Sequence, residues 1–159
     1  MNAADVLHYG HQEIMRAVEG VANAHWETSG VCGYWTVKDV LAHLDSYERM
    51  LIEMVDILQG QGPGPVLQQR MADGEQFNDN QVADYQQKSP EQVLAEYQAN
   101  CQQARARVAE IPAEMLRQPG TLPHYGEEYA FDDMLVYQYY GHKREHSAQI
   151  NAFVDRIHR

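Results

Sequence analysis

The sequence predicts an all-α protein: four long helices forming a four-helix bundle with crossover connections of the up-up-down-down type. Three observations point there. Four segments carry apolar residues at three- and four-residue spacing, the period of one helical face. No stretch shows the sustained apolar–polar alternation of a half-buried strand. Connections rich in Gly and Pro separate the later helices and are long enough for crossovers rather than tight hairpins. The 159 residues fit a single domain, 1–159, with enough chain to bury a core without a disulfide or metal staple.

The first helix runs from about Ala3 to Asn23, with Leu7, Ile14, Val18 and Val21 on its apolar stripe. The second begins at Thr36, an N-cap with Asp39 three residues on, in the pattern of a capping box with Asp in place of Glu or Gln. Val37, Val40, Leu44, Tyr47, Leu51 and Leu58 supply its buried side, and the run GQGPGP breaks it after Gln59. Residues 60–77 read as a long polar loop, of a length that serves as a lid or stays irregular in compact domains. A short helix fits Asn78 to Gln87. The third long helix opens with SPEQ: Ser89 caps, Pro90 suits the first turn and Gln92 completes the box. Its apolar positions are Val93, Leu94, Tyr97, Cys101, Ala104 and Val108, and Pro112 stops it. The connection RQPGTLPHYGEEY leads to a fourth helix from about Asp132 nearly to the last residue.

Charge narrows the function. Twelve Lys and Arg stand against 23 Asp and Glu, a net charge of -11. Such a surface repels phosphate backbones and anionic lipid, so nucleic acid and membranes are not expected partners. No apolar run is long enough to span a bilayer. The first residues lack a basic start followed by an apolar stretch, so no signal peptide is expected. Cys32 and Cys101 are the only cysteines; two isolated thiols read as reduced, and a cytoplasmic location follows.

The chemistry concentrates on the fourth helix. Leu135, Tyr139, His142, His146, Ile150, Phe153 and Ile157 follow one another at steps of three and four, so all project from one face, with the two histidines at its centre. Histidines at i and i+4 can bring both imidazoles to a single ion. A lone histidine on an apolar face is usually a core residue. Two there need several hydrogen-bond partners, and a metal satisfies one nitrogen of each ring while leaving the other for an acceptor. From this helix alone, core pair and metal pair are evenly balanced. His43, in VLAHLDSYE beside Val40, Leu44 and Tyr47, is the candidate third ligand; a flank histidine facing solvent is its competing reading. Three histidines with an open position describe a catalytic-type site. His11 also falls on an inner face, as a pocket or core residue, while His8, His25, His124 and His158 are expected in solvent.

Other motifs fail. HKREH fits the H-x-x-E-H pattern of inverted zinc proteases, but too little chain follows for their further acidic ligand. H-E-x-x-H is excluded by Lys143, and neither His142 nor His146 has the Glu three residues earlier that di-iron bundles use. No haem-attachment, phosphate-loop or serine-elbow pattern exists.

Three pieces, WTVKDVLAHLDSYE, SPEQVLAEY and YGHKREHSAQI, resemble in order and separation the DinB/YfiT-like superfamily of small bacterial metalloproteins. The resemblance implies a DinB-like four-helix bundle, with a divalent metal, zinc or nickel, held by His43, His142 and His146. It also implies a small-molecule substrate, a homodimer, and either hydrolysis or transfer chemistry that uses a low-molecular-weight thiol. The alternative is a non-catalytic metal- or ligand-binding protein of stress response or interaction. Around such a site Tyr139 reads as pocket lining or core, Tyr34 and Trp35 as a wall or as packing at the bundle end, Glu145 as a neighbour, and Lys143 and Arg144 as solvated surface.

Overall fold

The computed structural model describes residues 2–122 and 125–158; His124 lies outside them. α1 (Ala3–Glu19) starts on Asn2, whose Oδ1 accepts from the Ala4 N–H at 2.9 Å. It stops at Gly20, short of Asn23, and a 3-10 turn follows at Asn23–His25. α2 (Val37–Leu58) opens on the expected box: Thr36 Oγ1 accepts from Asp39 N–H at 3.1 Å, and Asp39 Oδ2 from Thr36 N–H at 2.9 Å. α5 (Pro90–Ala109) is boxed in the same way by Ser89 and Gln92. Among the described residues the only extended pairing is an isolated bridge between Cys32 and Trp35, and no helix is long and apolar enough to cross a membrane.

The segment expected to be a 60–77 loop is instead mostly helical, with α3 (Pro65–Asp73), a 3-10 turn (Gly74–Gln76) and α4 (Phe77–Ala83). The reason is tertiary. Gly64 offers no capping side chain, but Glu53 of α2 reaches across, its carboxylate accepting from Val66 N–H at 3.0 Å and Leu67 N–H at 2.8 Å. A negative group on the exposed N–H groups of a first turn is stabilising. The approach needs a glycine, because a Cβ on Gly64 would collide with the Glu53 side chain. A four-residue helix, α6 (Ala113–Leu116), follows α5.

The last helix is interrupted within its own length. α7 (Phe131–Met134) passes into a π-helical stretch, Leu135–Gly141, and then into α8 (His142–Ile157). A π segment places an extra residue in the turn, and such turns recur at functional sites.

Four long helices pack round two apolar clusters. α1 lies against α5 and α8, and α2 against α5 and, more narrowly, α8. Contacts along each pair give their directions. His8 meets Arg105 and Met15 meets Gln98, so α1 and α5 are antiparallel. Asp45 meets Asn100 and Asp56 meets Arg107, so α2 and α5 are parallel. His43 meets His142 and Tyr47 meets Tyr139, so α2 and the last helix are antiparallel. The order is therefore up-down-down-up, which corrects the up-up-down-down expectation: α1 turns back into α2, and the long crossover joins α2 to α5. One cluster is built around Ile14, Leu41, Leu44, Tyr97 and Ile150, and the other around Leu51, Phe77, Val108, Phe131 and Leu135. Buried polar groups of α2, Asp45, Ser46 and Glu48, lie in sequence between Leu44 of the first cluster and Met50 of the second.

Candidate functional site

His43 faces the start of α8 across the narrow α2–α8 seam. Its Nε2 lies 3.0 Å from His142 Nε2, and His146 Nε2 lies 2.9 Å from the same atom. The three residues thus present one ring nitrogen each, all within 4.8 Å of one another. The i,i+4 spacing stacks His142 and His146 on one side. His43 is set opposite by the antiparallel run of α2, with the Trp35 ring 5.0 Å and the Tyr47 ring 4.9 Å from its own.

The outer side of the His146 ring is committed elsewhere, and the buried outer nitrogen of His43, Nδ1, has no partner. His146 Nδ1 lies 2.8 Å from Gln149 Oε1, an acceptor, so Nδ1 carries the proton and Nε2 a lone pair. The Gln138 backbone acts on the His142 ring against burial, in the direction that raises its pKa. Burial lowers the pKa of His43 to about 2, helped by His142 and His146, and lowers that of His142 to about 4, helped by His146. Burial also lowers that of His146, against the Gln149 hydrogen bond. All three are neutral near pH 7. Three neutral imidazoles that bring one ring nitrogen each to a common point are a ligand set for a divalent ion. The residues fit that group.

Two cavities reach the cluster. One, of about 440 Å³, is bordered by Tyr47, Met54, Arg70, His142 and Glu145. The other, of about 270 Å³, is bordered by Cys32, Trp35, His43, His142 and His146. Access depends on the position of His142, which is only half-buried, while His43 and His146 are buried. The expectation that both histidines sit at the centre of the apolar stripe is therefore corrected: His142 lies at its edge.

The centre belongs to Lys143, expected in solvent and found 2% exposed. Its Nζ lies 2.6 Å from Glu48 Oε1 in a pair closed to solvent, with Cys101 Sγ at 3.9 Å. Burial alone would push the ammonium pKa down; the Glu48 carboxylate and Cys101 together outweigh it and raise it. Burial, reinforced by Glu48, pushes the Cys101 thiol up, so it stays protonated and unreactive. Gly10 makes the space, since a Cβ there would lie 3.2 Å from Lys143 Cδ and 3.3 Å from the Tyr139 carbonyl oxygen.

The other candidates divide. Trp35 packs on His43 as a wall, whereas Tyr34 is exposed and donates to Asp79. Tyr139 is core, its hydroxyl donating to the Tyr47 carbonyl at 3.0 Å. Glu145 borders both cavities without joining the nitrogen cluster. His11 is away from it, its ring 5.5 Å from that of Tyr97. Arg144 and His158 are exposed; His8 and His25 are partly covered. Sequence reasoning missed Glu48, Arg70, Gln138 and Gln149. Only the two glutamines carried a local signal, standing four residues before His142 and three after His146.

Among the described residues the fold and site define a class: all-helical, with a three-histidine cluster between the second and last long helices. Within it, this chain belongs to the family of mycothiol maleylpyruvate isomerase N-terminal domains, a DinB-like family, which it matches over residues 7–138. The match includes His43 and ends before His142. No curated protein and no solved structure matches the chain.

Proposed function

We propose that the chain is a DinB-like four-helix bundle and a metal-dependent enzyme, in which His43, His142 and His146 hold a divalent ion, zinc or nickel, with at least one position open. The observation that carries this reading is the convergence of three neutral Nε2 atoms, one of them on a ring whose other side is tied to Gln149. Ligand histidines characteristically direct the second ring nitrogen to an acceptor in this way. Held by His43, His142 and His146, an ion would supply the acidity that ionises a coordinated water or the charge that holds a thiolate.

Of those two chemistries, membership of a mycothiol-related family favours the thiol. The reaction is read as transfer or isomerisation of a small electrophilic molecule using a low-molecular-weight thiol, in the cytoplasm, with a homodimer as the assembly. Hydrolysis is the second reading. In either, the chain's own contribution is to gather three neutral imidazoles, one held in its tautomer by Gln149, and to keep one face of His142 open to the larger cavity.

The test is elemental analysis of purified protein and of His43→Ala, followed by a screen of the loaded protein against esters and electrophiles with and without mycothiol. The expected result is about one zinc or nickel per wild-type chain, none in the variant, and turnover only with thiol. No stoichiometric metal after reconstitution would sink the reading. Turnover of esters without thiol would select hydrolysis.

A further inference from the structure

The cavity beside His142 has a consistent chemical polarity. Its volume, about 440 Å³, is that of a small-molecule site. Met50, Met54 and Met134 line it and are each at most 5% exposed. Methionine surfaces are polarisable and adapt to varied apolar shapes. One cation, Arg70 of α3, borders the cavity, in a chain of net charge -11. Among the described residues no carboxylate stands within ion-pair distance of Arg70. Its Nη1 donates to the Gly74 carbonyl at 2.6 Å, and its guanidinium lies over the Phe77 ring at 5.5 Å. These contacts hold the side chain in place and leave its charge uncompensated. Near His142 the border carries the opposite sign, on Glu145.

We propose that this cavity binds a monocarboxylate with an apolar body, its carboxylate on Arg70, its body on the three methionines and its far, uncharged end toward His142. A second anionic group at that end would meet Glu145, so dicarboxylates are disfavoured. The proposal rests on the metal-site reading only for which end of the ligand reacts. The binding itself is a property of the protein's own side chains.

The experiment is isothermal titration of the full chain, metal-free and zinc-loaded, with hexanoate, hexanamide and adipate. A charge-assisted pair to Arg70 is expected to favour hexanoate over hexanamide by about tenfold or more, in both forms of the protein. Arg70→Gln should erase that preference and leave hexanamide binding unchanged, while Arg70→Lys keeps part of it. Arg70 lies on the surface, so these variants should fold, which circular dichroism checks. A preference that survives Arg70→Gln, or no preference in wild type, overturns the proposal. Adipate binding as tightly as hexanoate overturns its single-charge requirement. A preference seen only with zinc and indifferent to Arg70 would put the carboxylate on the metal, overturning this assignment while supporting the metal site. An Arg70-dependent preference in a protein that takes up no zinc would support this assignment and sink the metal reading.

Discussion

Two polar clusters are built from the same two helices, less than two turns apart along α2, and they solve opposite problems. At the edge of the α2–α8 seam, His43, His142 and His146 bring like groups together, each neutral, with a cavity alongside. Deeper in, Glu48 and Lys143 bring opposite charges together, at 1% and 2% side-chain exposure. The ion pair compensates itself. The histidine cluster gathers three neutral ring nitrogens with no charged partner among them, an arrangement that could hold an ion from outside. Neighbouring positions in the chain, 142 and 143, thus belong to different chemistry because they point to different sides of one helix.

The contrast can be broken most severely at the ion pair. Lys143→Met leaves a buried carboxylate unpaired and is expected to cost about 3–5 kcal/mol in urea denaturation. Adding Glu48→Leu should recover most of that, since two apolar groups can replace a buried pair at little cost. If the double variant is no more stable than the single one, the pair is not self-compensating.

Next comes the response to metal. Zinc at a free concentration a hundredfold above its Kd should stabilise the wild type by about 2.7 kcal/mol, and His43→Ala should lose that increment. In the metal-free state His43→Ala should cost far less than Lys143→Met. Denaturation with and without zinc measures both.

Acid sharpens the comparison further. His11 and His142 have pKa values lowered to about 4, and His43 to about 2, burial being the main cause in each. The unfolded chain binds protons at these groups near pH 6.5 and the native one does not, so ν_U exceeds ν_N and stability rises with pH in that window. Metal-free protein should therefore lose stability as pH falls from about 6.5 toward 4, by at most about 1.4 kcal/mol per pH unit for each histidine. Because protons compete so late for these rings, zinc should be retained through pH 5 in equilibrium dialysis. Release near pH 6.5 would mean ordinary, unburied histidines.

The smallest effect lies outside both clusters. Thr36→Ala removes the side-chain cap of the helix that carries His43 and Glu48, and is expected to cost about 1 kcal/mol. Zinc stoichiometry should stay unchanged. Loss of metal in this variant would show that the cluster depends on the α2 start rather than on the packed seam.

Much of this was legible because it is local. The boxes at Thr36–Asp39 and Ser89–Gln92 involve residues three apart and formed as read. The three histidines singled out from spacing and resemblance are the three whose ring nitrogens converge. What was misread depended on distant partners. α3 looked like loop because its cap, Glu53, belongs to another helix. Lys143 looked like surface because lysine usually is, and only Glu48 makes its burial affordable.

The chain's local pattern was enough to mark the four long helices, the apolar faces that must be covered, and the set of histidines on two of those faces. These follow from periodicity and caps, which act within a few residues. The tertiary structure alone decided that α2 runs alongside α5 and against α8, and that the π turn at Leu135–Gly141 precedes His142. It also decided that Lys143 rather than His142 occupies the middle of the buried face, and that Arg70 borders the cavity. The physical reason is that helix direction, the register across a seam and the compensation of a buried charge are properties of pairs of elements. No single stretch of chain contains both members.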